Sequence, residues 1–467
     1  MDKAGVKITI HKYIAVVSIL LVLTMTVLDG TLVNVALPIL AGEFHVSDSS
    51  AVWIVTIYQL VITTLLLPLS SIGDIYSYKR NYLIGIIVFT LGSLFCAVSG
   101  NFTMIIIARA IQGIGAAFVM GVNVALLRLI YPPQLLGRGL AINAMVVSIA
   151  TAAGPTLAGA ILSVAKWNWL FIINIPIGII AFLMGFKFLP HNTPKSSRTK
   201  PDWLGGFENI VVFGLIFFSL GNFSLKGELG ENIIMLVCGI VIGYFYIHHL
   251  KHKEKPIFPI DLLRIKVYSL SILTSTCSFM AQNIAMIAIP FLFLNGYGFS
   301  EITTGLLMTP WPLATMIVSP IAARLVENHN AGIIAAIGML IYATGVVMLM
   351  IVPETSGVSE WNIAWRMALC GIGFGFFQTP NNIVMIKSTP IERSGAAGGM
   401  QSTARLSGQT LGATAVTIVF AFASKPTDAG SLSNGAPGVH IALIVAICFA
   451  IIAGMFSISR IKSLPKN

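Results

Sequence analysis

The sequence predicts an all-α membrane protein with fourteen transmembrane helices, on three observations. Of its 467 residues 56% are hydrophobic and only 10% are charged, with a mean hydropathy of +0.89, whereas soluble domains carry about a quarter charged residues. Apolar runs near 20 residues or longer recur along the whole chain, and a helix rising ~1.5 Å per residue needs about that length to cross the hydrocarbon. The basic residues fall almost entirely in alternate connections. Backbone polar groups in lipid must be satisfied within their own segment, so the runs are read as helices. The net charge of +11 is then a topology signal, and the expected partner is the lipid bilayer, with no nucleic acid.

The first span, about 13–38, closes on Leu28-Asp29-Gly30-Thr31-Leu32-Val33-Asn34-Val35-Ala36-Leu37-Pro38. Asp29 lies roughly two-thirds of the way along it and is the only one of the 17 acidic residues well inside a predicted span. A carboxylate there costs several kcal/mol unless it is paired, protonated or facing a wet cavity. No small-residue cleavage site follows a short apolar core, so this run is expected to stay as an uncleaved helix. Spans at 51–71 and 81–99 follow, joined by a loop carrying Asp74, Lys79 and Arg80, and a fourth at 102–127 contains Arg109. The fifth, 139–164, is expected to kink at Gly154-Pro155, because proline removes an intrahelical hydrogen bond, while Gly159 allows a neighbour close. The sixth runs over 168–189.

Two long polar connections, His191 to Asp202 and Lys251 to Lys266, bracket spans at 203–223 and 231–250 that are poor in polar residues. Six more spans follow at 269–295, 303–326, 331–352, 361–386, 396–424 and 438–460. The two sets of six echo one another: Ser70-x-x-x-Asp74 matches Ala323-x-x-x-Glu327, and Arg138-Gly139 matches Arg393-Ser394-Gly395. The expected organisation is a six-helix bundle over 1–189, linkers with two inserted helices over 190–268, and a second six-helix bundle over 269–467. With a cytoplasmic N-terminus, 22 of the 28 Lys and Arg fall on that side. Three (Lys166, Lys226, Lys425) lie outside and three (Arg109, Arg366, Arg405) within spans. Both termini are therefore expected in the cytoplasm.

No enzyme chemistry is legible. The chain has no phosphate-cradling loop, no His-Glu-x-x-His and no nucleophile with a base, so no catalytic residue, metal or cofactor is expected. The five cysteines (Cys96, Cys238, Cys277, Cys370, Cys448) all fall in apolar runs and read as small buried hydrophobes. His248, His249 and His252 read as a solvated basic helix end.

Several blocks together resemble the major facilitator superfamily, in its fourteen-helix drug:proton antiporter branch. The Leu28–Pro38 stretch is similar to the branch's first-helix signature, with Asp29 and Asn34 as its polar members. Arg109-Ala110-Ile111-Gln112-Gly113-Ile114-Gly115-Ala116-Ala117 resembles the fourth-helix motif, and Gly154-Pro155-x-x-x-Gly159 the fifth-helix antiporter motif. The stretch from Trp167-Asn168-Trp169 through Asn174-Ile175-Pro176 to Gly178 resembles the sixth-helix entry. Gln378-Thr379-Pro380-Asn381-Asn382 and Arg393-Ser394-Gly395-Ala396-Ala397-Gly398-Gly399-Met400 are similar to second-half segments. The loop before the third span departs from the family pattern: its aspartate and two bases remain, while two glycines and one arginine do not. The Glu-x-x-Glu-Arg first-helix signature of fourteen-helix peptide symporters is absent.

The resemblance implies a major facilitator fold, two six-helix bundles plus two inserted central helices. It also implies a multidrug efflux antiporter of the bacterial inner membrane that contributes to antibiotic resistance. Its energy source would be the proton gradient and its cargo hydrophobic, expectedly cationic compounds, with a periplasmic adaptor if the cell is Gram-negative. Alternatives are export of an anionic or neutral metabolite, siderophore or lipid, and a non-transporting sensor or scaffold.

Asp29 and Arg109 lie at similar depths in helices that the family fold brings together, so they are candidates for proton coupling, or for a permanent structural ion pair. Asp74, with Lys79 and Arg80, is a candidate gate against the helix start at Ser394 and Gly395, or else a solvated counter-ion. Candidate substrate contacts are the mid-span residues Asn34, Tyr58, Gln59, Asn143, Gln282, Asn283, Trp311, Phe377, Gln378 and Asn381. Phe279, Met280, Met286, Met308 and Trp311 are candidate adaptable apolar walls. Arg366 and Arg405 are expected to snorkel or cap near span ends.

Overall fold

A computed structural model describes residues 10–132, 135–191, 202–222, 229–253, 258–352, 358–390, 394–423 and 436–461, without the side chains of 10, 74–75, 137–138, 141, 144, 229, 394–396 and 436. The described residues are almost entirely helical. The first bundle is α1 (Ile10–Glu43), α2 (Asp48–Ile75), α3 (Tyr78–Ala97), α4 (Phe102–Ile130), α5 (Leu136–Val164), and a sixth span divided into α6 (Trp169–Ile172) and α7 (Asn174–Phe188). The inserted pair is α8 (Trp203–Asn222) and α9 (Leu229–Lys251). The second bundle is α10 (Lys266–Phe291), a span divided into α11 (Glu301–Met308) and α12 (Pro310–Asn328), α13 (Ala331–Met350), α14 (Glu360–Lys387), α15 (Ser394–Ala423) and α16 (Ala436–Ile461).

Local chemistry sets many of these boundaries. Ser47, Ser77, Asn101, Ser300 and Asn330 each cap the following helix by accepting a backbone N–H in its first turn, an arrangement stabilising a helix by about 1 kcal/mol. The division at Thr309 falls before Pro310 and Pro312, which supply no N–H to the preceding turn. Among the described residues, thirteen helical spans are long and apolar enough to cross a membrane, with α6–α7 and α11–α12 each counted as one. The fourteenth, α14, falls short in hydropathy because Arg366, Gln378, Asn381 and Asn382 lie along it, although at 28 residues it is long enough.

The duplication read from the sequence is visible in the packing. The neighbour pairs α3–α4, α2–α4, α1–α5, α1–α7 and α3–α7 have counterparts in α13–α14, α12–α14, α10–α15, α10–α16 and α13–α16. Even the closest approach repeats. A Cβ on Gly85 would lie 2.9 Å from the Gly115 carbonyl, and one on Gly338 2.7 Å from that of Gly373, so both α3–α4 and α13–α14 cross on bare backbone.

The bundles meet through α2–α15, α5–α11 and α1–α10, and α8 lies against both α2 and α15, beside that seam. One end of the molecule, where α1 begins and α16 finishes, carries Lys79, Arg80, Arg128, Lys187, Lys251, Lys266, Arg324, Lys387 and Arg460; we call it the basic end. At the far end a single apolar core joins both bundles, with Leu37, Leu40 and Ala158 of the first and Ile287, Phe291 and Leu307 of the second. Towards the basic end the cores separate. Ile19, Tyr82 and Leu126 belong to the first bundle's own core, reached from the second only by Leu406, while Tyr268, Met385 and Met400 form another.

Candidate functional site

Asp29 of α1 and Arg109 of α4 are both completely buried and bonded, Arg109 Nη1 to Asp29 Oδ2 at 2.5 Å. Two further side chains close the cage. Gln112 Nε2 donates to Asp29 Oδ1 at 2.8 Å and Asn174 Nδ2 donates to the same oxygen at 3.0 Å. The carboxylate thus accepts three hydrogen bonds. Gln112 is itself fixed: its oxygen accepts from Arg109 Nη1 at 2.5 Å, and its amide also donates to Ser93 Oγ at 2.8 Å. Arg109 Nε donates to the carbonyl of Ile54 at 3.1 Å, while Nη2 is buried without a partner.

Asp29 and Arg109 are expected to meet from their depths and from the family fold that brings their helices together, whereas Gln112 and Asn174 stand within motifs without a role. Gln112 lies three residues after Arg109, one turn along the same helix face, which is a usable signal. Asn174 has no comparable signal, since nothing in the sequence aims α7 at α1.

Tyr58 of α2 separates this cage from a cavity between the bundles. The Arg109 guanidinium lies over its ring, 4.1 Å from the centroid, and its hydroxyl donates to the Thr26 carbonyl at 3.4 Å. Tyr58 also lines the cavity, together with Asn34, Gln59, Gln282, Asn283 and Gln409 as polar groups and Met120, Met286 and Met308 as apolar ones. The cavity measures about 130 Å³, smaller than the ~300–1,000 Å³ of drug-sized sites. One hydrogen bond joins the bundles across its lining, Asn283 Nδ2 to Gln59 Oε1 at 3.3 Å, and a second joins α2 to α15 off the lining, Thr63 to Thr410 at 3.1 Å.

Of the sequence candidates, then, Asn34, Tyr58, Gln59, Gln282 and Asn283 line the cavity, and five others do not. Asn143 accepts from Asn123 at 3.1 Å. Trp311 and Phe377 are fully buried among aromatic rings of the second bundle, against Tyr342 and Phe374. Gln378 is half-buried and lies off the lining. Asn381 accepts from the fully buried Arg460 at 2.7 Å, which also donates to Ser271 Oγ at 2.8 Å.

Arg405 reverses its expectation. Instead of snorkelling to a span end, it turns into the cavity, because α15 presents that face to α2 across the seam. Arg366 does sit at a helix start, donating to the Asn362 carbonyl at 2.8 Å.

At the basic end, Lys79 is buried and donates to the Leu189 carbonyl at 2.9 Å, closing the end of α7, whereas Arg80 is exposed. The side chains of Asp74 and Ser394, and the surroundings of Gly395, lie outside the described residues. So do Arg393, Lys226, Lys425 and the side chain of Arg138. His249 turns to Glu208 at 2.6 Å, and among the described residues no acid, His and Cys cluster could hold a metal.

The Gly154-Pro155-x-x-x-Gly159 segment forms the far-end seam. Gly154 abuts the Thr31 side chain, Gly305 abuts the Pro155 carbonyl, and a Cβ on Gly159 would lie 2.6 Å from the Glu301 carbonyl. Thr156 and Thr309 hydrogen-bond across the same contact. Pro155 leaves the Thr151 carbonyl without its helical donor, and both residues line the cavity.

Two repeated bundles meeting over a polar cavity, with a charged cage beside it, define a polytopic membrane transporter. A family model described as the Major Facilitator Superfamily matches residues 19–413, and the chain belongs to that superfamily. It is 45% identical over 451 residues to Uncharacterized transporter YebQ of Escherichia coli (strain K12), covering 97% of this chain and 96% of that one. It is 28% identical over 398 residues to Riboflavin transporter RibZ of Clostridioides difficile (strain 630), covering 85% of each. Multidrug resistance protein Stp of Mycobacterium tuberculosis (strain CDC 1551 / Oshkosh) is 29% identical over 393 residues, covering 84% of this chain and 72% of that one. A crystal structure of a POT family transporter in complex with a thioalcohol-conjugated peptide has a TM-score of 0.73 at 14% identity, covering 97% of this chain and 96% of that one, a likeness of fold alone.

Proposed function

We propose that the chain is a proton-coupled antiporter that exports amphipathic or hydrophobic compounds across a bacterial inner membrane by alternating access. The observation that carries this reading is Asp29, a carboxylate buried within the first spanning helix in a cage of three donors, one tyrosine away from the inter-bundle cavity. Protonation would remove the charge that holds Arg109, so the cage has two electrically distinct states. A linkage between those states and cavity occupancy is what coupling requires. The positive-inside bias supports a cytoplasmic basic end and termini. On that orientation, the fused far-end core and separate basic-end cores correspond to a carrier shut to the exterior.

Similarity to a multidrug resistance protein supports export of toxic compounds, and similarity to a riboflavin transporter supports a metabolite cargo. The lining favours the second reading on charge. It contains Arg405 and, among the described residues, no carboxylate, so a cationic cargo gains no counter-ion there.

The test is efflux from proteoliposomes under a proton gradient directed inward from the side equivalent to the cell exterior. Ethidium serves as the cationic probe and a dansylated carboxylate as the anionic one, with Asp29→Asn beside wild type. Gradient-driven efflux by wild type that is lost in the variant supports the proposal. Equal gradient-driven efflux by both makes Asp29 structural, and no efflux of any probe sinks the exporter reading.

A further inference from the structure

We infer that Arg405 is an anion-recognition residue and that the cavity takes amphiphiles bearing a carboxylate, sulfonate or comparable single negative group. The inference rests on the transporter reading and specifies its cargo.

Among the described residues, Arg405 is the only side chain lining the cavity that is charged at neutral pH. It has no hydrogen-bond or ion-pair partner among the described residues. Arg405 is half-buried, and the two fully buried guanidiniums differ from it: Arg109 holds Asp29, and Arg460 donates to Ser271 and Asn381. A guanidinium removed from bulk water is costly unless compensated. Asp29 cannot compensate it, being committed to Arg109, Gln112 and Asn174 and lying on the other side of Tyr58. The missing counter-charge is therefore one that arrives with the cargo. The planar fork of arginine suits oxyanions, which can accept two parallel N–H bonds.

The rest of the lining fits an amphiphile rather than a small inorganic ion. Asn34, 8% exposed, presents a buried Oδ1 with no partner, a vacant polar position for the cargo. Met120, Met286, Met308 and Ile62 supply an adaptable apolar wall. The present cavity is too small for such a body, so its entry must displace the lining bond between Asn283 and Gln59 and part the bundles where Thr63 bonds Thr410. These are the bonds that a change of access must also break.

The test is binding to purified protein in detergent without any gradient, using three probes that share one fluorophore. Dansylglycine is anionic, dansylglycinamide neutral and N-dansylethylenediamine cationic. Wild type should bind dansylglycine at least about tenfold more tightly than the other two. Arg405→Gln should erase that preference, and Arg405→Lys should keep part of it, with unchanged thermal unfolding of both variants showing that they are folded. If either variant misfolds, competition in wild type between dansylglycine and naphthalene-2-sulfonate, against naphthalene-2-methylammonium, decides instead. Absence of an anion preference in wild type overturns the inference, whether all three probes bind alike or none binds. A preference that survives Arg405→Gln overturns it as well. Failure of proton coupling in proteoliposomes with this preference intact would sink the antiporter reading alone.

Discussion

Replacing Asp29 by Asn tests the cage at its centre. The carboxylate accepts from three donors, whereas an asparagine has one oxygen and a donating amide. If that oxygen takes the Arg109 N–H, the new NH2 faces the amides of Gln112 and Asn174. Asn174 can rotate its amide; Gln112 cannot without releasing both Arg109 Nη1 and Ser93. At least one donor then meets a donor, and a guanidinium with no surface exposure loses its counter-charge. Breaking a buried pair from one side costs about 3–5 kcal/mol. Arg109→Gln should cost a comparable amount. The double variant Asp29→Asn/Arg109→Gln removes both charges and leaves amides that can bond one another, so it should cost less than the sum by about 2 kcal/mol or more. Unfolding in mixed micelles, followed by tryptophan fluorescence over an SDS titration, measures all corners of the cycle. Strictly additive losses would mean that the two side chains do not sense one another, and the cage would lose its standing as a coupling unit.

Three further outcomes are expected. Tyr58→Phe keeps the ring over Arg109 and loses only a long bond to Thr26, so transport should stay within about threefold of wild type, whereas Tyr58→Ala removes the partition and should give substrate-independent proton flux, read with a pH dye inside vesicles. Gly159→Val places a side chain 2.6 Å or less from the Glu301 backbone and should hold the far end apart, so that a cysteine introduced at Thr31 is alkylated faster by an impermeant maleimide from that side; an unchanged rate would mean the seam does not close the cavity. Arg460→Met leaves Asn381 Oδ1 without its donor and should lower stability by about 1–3 kcal/mol with little effect on probe binding, since both residues lie off the cavity.

The helices were legible because hydropathy and charge alternation report directly on lipid and its boundaries. The Asp29–Arg109 pair was legible because depth along a span is a count of residues. Rotation about the helix axis was not. In a soluble helix one polar face marks solvent, but in lipid both the outer face and the packed face are apolar. Hence Asn381 and Gln282, both amides inside spans, read alike in sequence, although one ends beside Arg460 and the other in the cavity. Arg405 was misplaced for the same reason: its distance from the span end was readable, while the face of α15 that meets α2 was not. The division of two spans at Ile173 and Thr309 was hidden because an apolar run does not show a one-residue break in the ladder.

On the transport cycle proposed above, Arg405 would also make the carrier sensitive to voltage. In the empty protein the charges of Asp29 and Arg109 cancel, and Arg405 leaves one net positive charge facing the space between the bundles. A unit charge moved through a whole membrane potential of 100 mV changes its energy by ~2.3 kcal/mol. The proposed rocking of the bundles would shift the field past Arg405 through only part of that drop. Even a fifth of it, ~0.5 kcal/mol, would alter the ratio of the two orientations about twofold. A bound anion would cancel that charge and a proton on Asp29 would double it. The loaded and unloaded carriers would then return at rates that membrane potential sets apart, giving the cell an electrical control over turnover distinct from the pH difference.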